Sequence, residues 1–117
     1  MAIVKTIADV PAEPVQADGA RDVTVRVVFG PKDHAPTFAL RQFTLGPGGT
    51  TPFHAHPWEH EVVVQSGGPI LVTESGETPL TVGQVVLVPP DETHCFRNPS
   101  DSDSAAFLCL VPIEHQA

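Results

Sequence analysis

Prolines and glycines punctuate this chain so evenly that little room remains for an α-helix. There are 13 prolines and 9 glycines among 117 residues, and proline interrupts both a helix and a central strand. Between the breaks lie short β-branched and apolar runs: "DVTVRVVF" at 22–29, "TFALRQFTL" at 37–45, "EVVVQ" at 61–65, "ILVTE" at 70–74, "QVVLV" at 84–88 and "AAFLCLV" at 105–111. Turn signals separate them: "GPGG" at 46–49, "SGGP" at 66–69, "SGE" at 75–77, "VPPDE" at 88–92 and "NPSDSDS" at 98–104. Many short strands at this spacing predict an all-β sandwich or barrel. The length fits one domain. Residues 1–20 have a weak pattern and read as a peripheral strand, on the "AIVKTI" run, followed by a loop. Residues 21–117 read as a single barrel domain.

Composition narrows the function classes. Hydrophobic content of 41% and charged content of 17% indicate a globular chain. The formal net charge is −8, with only six Lys and Arg. That argues against nucleic acid, whose binding needs clustered basic residues, and against an anionic membrane surface. No run approaches the ~20 apolar residues of a membrane span, and the N-terminus lacks an apolar stretch of signal-peptide length. A cytoplasmic protein is the expectation. Its two cysteines, Cys95 and Cys109, read as reduced, buried thiols.

The chemistry concentrates in "HAHPWEHE" at 54–61, which holds three of the six histidines within seven positions. His54 and His56 are two apart, so a strand places both on one face, and His60 keeps the same parity. Neutral imidazole is the commonest side-chain ligand for borderline divalent metals. Such a site needs a donor from another strand. His94, in "PPDETHCFRN", follows a turn and is the candidate. His34, in a loop, and His115, in the tail, read as solvated.

These residues also fit a known pattern. Gly48, His54, His56, Glu61 and Gly68 follow the first motif of the cupin superfamily. Gly83, Pro89, His94 and Asn98 follow the second, with Asp91 where that motif has glycine, a turn position that Asp tolerates. "HPWEHE", "HCFRN" and "LRQFTLGPGG" resemble the small single-domain cupins with a four-histidine site. The resemblance implies a small antiparallel jelly-roll barrel with a metal site inside it near the mouth, and a homodimer. It implies one divalent transition metal per chain, manganese foremost, with Fe, Ni, Co, Cu or Zn as alternatives. Many cupins use three histidines and a glutamate, and by count Glu61 holds that glutamate's place. Parity favours His60 and turns Glu61 away. The expected ligands are therefore His54, His56, His60 and His94. Glu59 has the wrong parity and reads as solvated or as an outer partner.

Four protein ligands on a six-coordinate ion leave two positions for water, dioxygen or a chelating substrate, which suits Lewis-acid or oxygen chemistry. Phe96 shares parity with His94, and Val62 and Val64 share it with His60. With Phe53 or Trp58 at the rim, they would make an apolar pocket for a small aromatic or hydrophobic molecule. The resemblance adds Phe107 and Cys109 to that pocket, while Cys95 alternates with His94 and should face away. It also directs Arg41 toward the pocket, where a guanidinium could hold a carboxylate, a phenolate or a peroxide. The expected function is a metal-dependent oxygenase of dioxygenase type, with Arg41 orienting the substrate or the oxygen species. The alternatives are a non-redox isomerase or lyase acting on a small sugar or keto acid, and a non-catalytic ligand-binding module.

Overall fold

The computed structural model describes residues 1–116. Nine strands form one antiparallel sheet curled into a half-barrel, and no α-helix occurs among the described residues. The strands are β1 (Glu13–Pro14), β2 (Arg21–Phe29), β3 (Phe38–Thr50), β4 (His60–Ser66), β5 (Ile70–Thr73), β6 (Gly76–Pro79), β7 (Val85–Val88), β8 (His94–Arg97) and β9 (Ala105–Pro112). Their order is β6-β5-β8-β3-β9-β4-β7, with β2 also paired to β3 and β1 to β2. None of the described residues forms a helix long and apolar enough to cross a membrane.

β3 is the spine of the sheet. It pairs with β2 along one edge and with β9 along the other, and its last residue, Thr50, reaches β8 opposite Arg97. The "GPGG" segment does not end this strand, contrary to the sequence reading. Leu45 pairs with Val23 while Thr50 pairs with Arg21, so residues 46–49 are absorbed as an excursion within β3. Gly48 takes φ 70° there, a left-handed conformation that glycine adopts without Cβ strain. The strand continues because its carbonyls keep partners. Gly49 accepts from the Asn98 backbone N–H at 2.9 Å.

The short strand of the first twenty residues is Glu13–Pro14 rather than the "AIVKTI" run. It pairs Glu13 with Val25 and Pro14 with Thr24, covering part of the open edge of β2. A 3₁₀ turn at Ile7–Asp9 precedes it.

Alternation decides what faces inward. Along β4, His60, Val62 and Val64 are buried while Glu61 is exposed. β9 lies between β3 and β4 and sends Phe107, Cys109 and Val111 inward. The core collects Val23, Leu45, Val62, Val64, Leu80, Val88, Phe96, Phe107 and Cys109. Phe107 sits at its centre, with ring centroids 4.6 Å from Phe96 and 5.4 Å from Phe43. Asn98 is buried and fully used. Its Nδ2 donates to the carbonyls of Leu45, Gly46 and Asp103, and its Oδ1 accepts from the Ser100 N–H. One side chain thus ties β3 to the loop between β8 and β9, which gives this motif asparagine a role in the fold.

Candidate metal centre

Two stretches of backbone bring the histidines together. The segment from 51 to 59 is not the strand that the parity of His54 and His56 predicts: it bends at Pro57 and Trp58, leaves His54 exposed and His56 buried, and enters β4 at His60. His54 forms an isolated antiparallel bridge with His94, the first residue of β8, with N–H to O distances of 3.1 and 3.0 Å. The turn before β8 is fixed to the same segment, because the Asp91 N–H donates to the His56 carbonyl at 2.8 Å. Asp91 holds φ 68°. That left-handed geometry explains why glycine suits this motif position and why aspartate is tolerated.

His56, His60 and His94 are buried, and they offer nitrogen atoms all within 4.8 Å of one another. That clustering of donor atoms positions the three to hold one metal ion. His54 is exposed and stands outside that group. Its ring centroid nevertheless lies 5.1 Å from His56 and 5.5 Å from His94.

The outer ring nitrogens reveal the tautomers. His54 Nδ1 meets the Pro52 carbonyl at 2.8 Å, His56 Nδ1 the Trp58 carbonyl at 2.9 Å, and His94 Nδ1 the Glu92 carbonyl at 2.8 Å. A carbonyl only accepts, so each Nδ1 carries the hydrogen and each Nε2 keeps its lone pair. This is the arrangement of a metal-bound histidine oriented by a second partner. His56 Nε2 is buried with no hydrogen-bond partner, a costly state for a polar atom unless an ion takes the lone pair. The residues present therefore fit a divalent cation.

Electrostatics point the same way. Burial lowers the pKa of His56 and His94, and burial followed by the nearby Arg41 charge pushes His60 down to about 3. All three are neutral at pH 7, the state in which imidazole can donate a lone pair.

Beneath the histidines, Val62, Val64, Phe96, Phe107 and Cys109 belong to the packed core and form the floor of the site. Trp58 is half-buried and Phe53 exposed at the rim. Glu61 points to the opposite face of β4, and Glu59 is exposed. Arg41, on β3, reaches inward. Its Nη2 lies 3.1 Å from Cys109 Sγ and 3.4 Å from His60 Nδ1, and its guanidinium carbon sits 4.9 Å from the Phe43 ring centroid. Its Nε is buried without a partner. Cys95 is buried on β8, with Sγ 3.9 Å from Thr50 Oγ1. Both cysteines are free thiols.

Two residues escaped the sequence reading. Phe43 carries the Arg41 guanidinium and stacks on Phe107. Its parity with Arg41 was the available signal. His115, read as a solvated tail residue, stacks on Trp58 at 3.9 Å between ring centroids, and Trp58 stacks on His56 at 4.3 Å. No local pattern links positions 58 and 115. They meet because β9 returns the chain to the mouth and the Ile113–His115 turn follows.

Comparison with known proteins agrees with this geometry. The curated 1-methylthio-D-xylulose 5-phosphate methylsulfurylase of Rhodospirillum rubrum is 31% identical over 94 residues, covering 80% of this chain and 58% of that protein. The polyketide synthase CurC of Streptomyces cyaneus is 35% identical over 70 residues, covering 59% of this chain and 46% of that protein. The chain thus spans roughly half the length of these curated relatives. Among solved structures, the polyketide cyclase RemF of Streptomyces resistomycificus superposes with a TM-score of 0.92 at 32% identity, covering all of this chain and 83% of that one. The Cupin domain family matches residues 41–111, which span Arg41, all four clustered histidines and Cys109, and this chain belongs to the cupin family.

Proposed function

We propose that this protein is a metal-dependent cupin enzyme that closes a ring on a β-polyketone by non-redox carbon–carbon bond formation. The observation that carries the reading is the set of inward lone pairs on buried, neutral histidines above an aromatic floor. Likeness to a polyketide cyclase along the whole chain supports the substrate class. His54 is the fourth donor in this reading, since its Nδ1 is already committed to Pro52 and its Nε2 is left for the ion.

A divalent ion held by these histidines supplies Lewis acidity toward a ketone oxygen. The chain's own residues do the rest. Arg41 presents a fixed cation beside the site, suited to a carbonyl or enolate oxygen of the substrate. Phe96, Phe107 and Phe43 keep the floor dry, which strengthens that interaction. Trp58, stacked between His56 and His115, braces His56 at the rim.

A second reading keeps the same residues but makes dioxygen a co-substrate, as in a dioxygenase-type cupin. The buried Arg41 Nε without a partner favours it, because an anionic oxygen species would satisfy that donor. The two readings part in one experiment. Metal-loaded protein is incubated with a linear aromatic β-polyketone in a sealed cell carrying an oxygen electrode, and products are weighed by mass spectrometry. Ring closure predicts a metal-dependent product lighter by one water with no oxygen consumed. Stoichiometric oxygen uptake would overturn it in favour of the oxygenase.

A further inference from the structure

Three of the clustered histidines are oriented by main-chain carbonyls of their own segment, whereas the His60 ring meets the Leu110 carbonyl of the neighbouring strand and, at Nδ1, two side chains. Its neighbours there make opposite demands. Arg41 Nη2, at 3.4 Å, can only donate. Cys109 Sγ, also at 3.4 Å, can accept. If Arg41 donated to Nδ1, the hydrogen of the neutral ring would sit on Nε2, and the lone pair facing His56 and His94 would be lost. If Nδ1–H points to sulfur, that lone pair is kept.

We infer that Cys109 is a positioning residue of the metal centre: its sulfur accepts from both Arg41 and His60 and so holds His60 in its metal-binding tautomer. This rests on the metal-centre reading above. The geometry supplies each part of it. Arg41 Nη2 is nearer to the sulfur, at 3.1 Å, than to the imidazole. The thiol hydrogen has its own acceptor in the Leu110 carbonyl, 3.8 Å from Sγ, which leaves the sulfur lone pairs for the two incoming donors. A neutral thiol is sufficient, in keeping with a site where burial raises the pKa of Cys109. The position is also fixed: Cys109 pairs directly with Arg41 across β3 and β9 and with Val62 across β9 and β4, so neither partner can move far from the sulfur.

The test compares Co²⁺ affinity in the untagged full chain, freed of metal, with C109S, C109A and the double variant C109A/R41M. The cobalt absorption bands are the readout. Serine keeps an acceptor at this position, and C109S should bind within a few-fold of the parent. C109A should bind about 10- to 100-fold more weakly, the usual cost of removing an outer partner of a ligating histidine. C109A/R41M should recover most of that loss, because the competing donor is gone. Metal-free melting temperatures accompany each titration. Should C109A not fold, the metal-free parent still decides: the ring N–H of His60 should be seen on Nδ1 by ¹⁵N NMR, and should persist in C109S. Equal Co²⁺ affinity in parent and C109A, equal loss in C109A and C109S, no recovery in the double variant, or a His60 hydrogen on Nε2 would each overturn the assignment of Cys109. Failure of the parent itself to bind Co²⁺ would overturn the metal centre along with it.

Discussion

The rim and the floor of the histidine cluster are built by different rules. At the rim, His54 and His115 are exposed and Trp58 is half-buried, and the groups are held by stacking and by carbonyls of their own loop. On the floor, His60, Arg41, Cys109, Phe96 and Phe107 come from four strands, and each is fixed by residues distant in sequence. A rim group can adjust at small cost because water replaces what it loses. A floor group cannot, because its polar atoms have no other partner and its apolar atoms leave a void. Sensitivity to substitution should therefore fall steeply from floor to rim.

The largest effect is expected from Phe107→Ala. Its ring packs against both Phe43 and Phe96, and truncation should lower stability by about 3–5 kcal/mol, measured by urea unfolding. Exposed Phe53 provides the contrast, since Phe53→Ala should stay within ~0.5 kcal/mol of the parent. Similar losses for both would erase the distinction between floor and rim.

Next comes the choice of ligand along β4. His60→Ala should weaken metal binding by more than about 100-fold, beyond the cost of losing an outer partner, while Glu61→Ala should leave it unchanged. Titrations in one buffer decide the matter. If Glu61→Ala empties the site and His60→Ala does not, alternation along β4 has been misread and the glutamate is the ligand.

Arg41 belongs to the floor without being a ligand. Arg41→Ala should retain the metal and lower turnover roughly 100-fold, comparable to losing one preorganised donor. Elemental analysis alongside kinetics separates the cases: metal loss would make Arg41 structural, and unchanged turnover would make it a bystander.

The buried histidines also set a pH response in the metal-free protein. His60 titrates at about 3 when folded and near ~6.5 when unfolded. Between those values the unfolded chain binds the extra proton, so stability is fully present above about pH 6.5 and is lost as pH falls. For one such group the slope is at most about 1.4 kcal/mol per pH unit. Chemical denaturation at pH 7, 6, 5 and 4 should show this decline, and His60→Ala should flatten it. At the far end of the scale, His115→Ala should shift metal affinity by no more than a few-fold, because it reaches the histidines only through Trp58.

Much of the fold and its chemistry was legible locally. The runs at 22–29, 61–65, 84–88 and 105–111 became β2, β4, β7 and β9 with no bound moved by more than one residue, because alternation and turn chemistry act over a few residues. The same alternation separates buried His60 from exposed Glu61. The short β6, "GETP", has exposed residues throughout and thus carried no apolar signal to read. "GPGG" misled for a related reason: glycine and proline mark where a chain can turn, and whether it does depends on the partner strand. Here β2 and Asn98 supply hydrogen bonds on both sides of the excursion, and β3 runs on.

The sequence by itself determined the all-β class and the alternation that buries His60 and exposes Glu61, since both follow from the two-residue period of an extended chain. The carbonyls that orient His54, His56 and His94 lie two residues away in sequence, and only the tertiary structure decided what faces Nδ1 of His60. Cys109 lies 49 residues from His60 and 68 from Arg41, and β9 alone brings the sulfur between them. His115 reaches Trp58 by the same return of the chain. Periodicity assigns a side chain to a face. Its neighbour on that face is set by strand order and register, which the packing of the whole sheet selects.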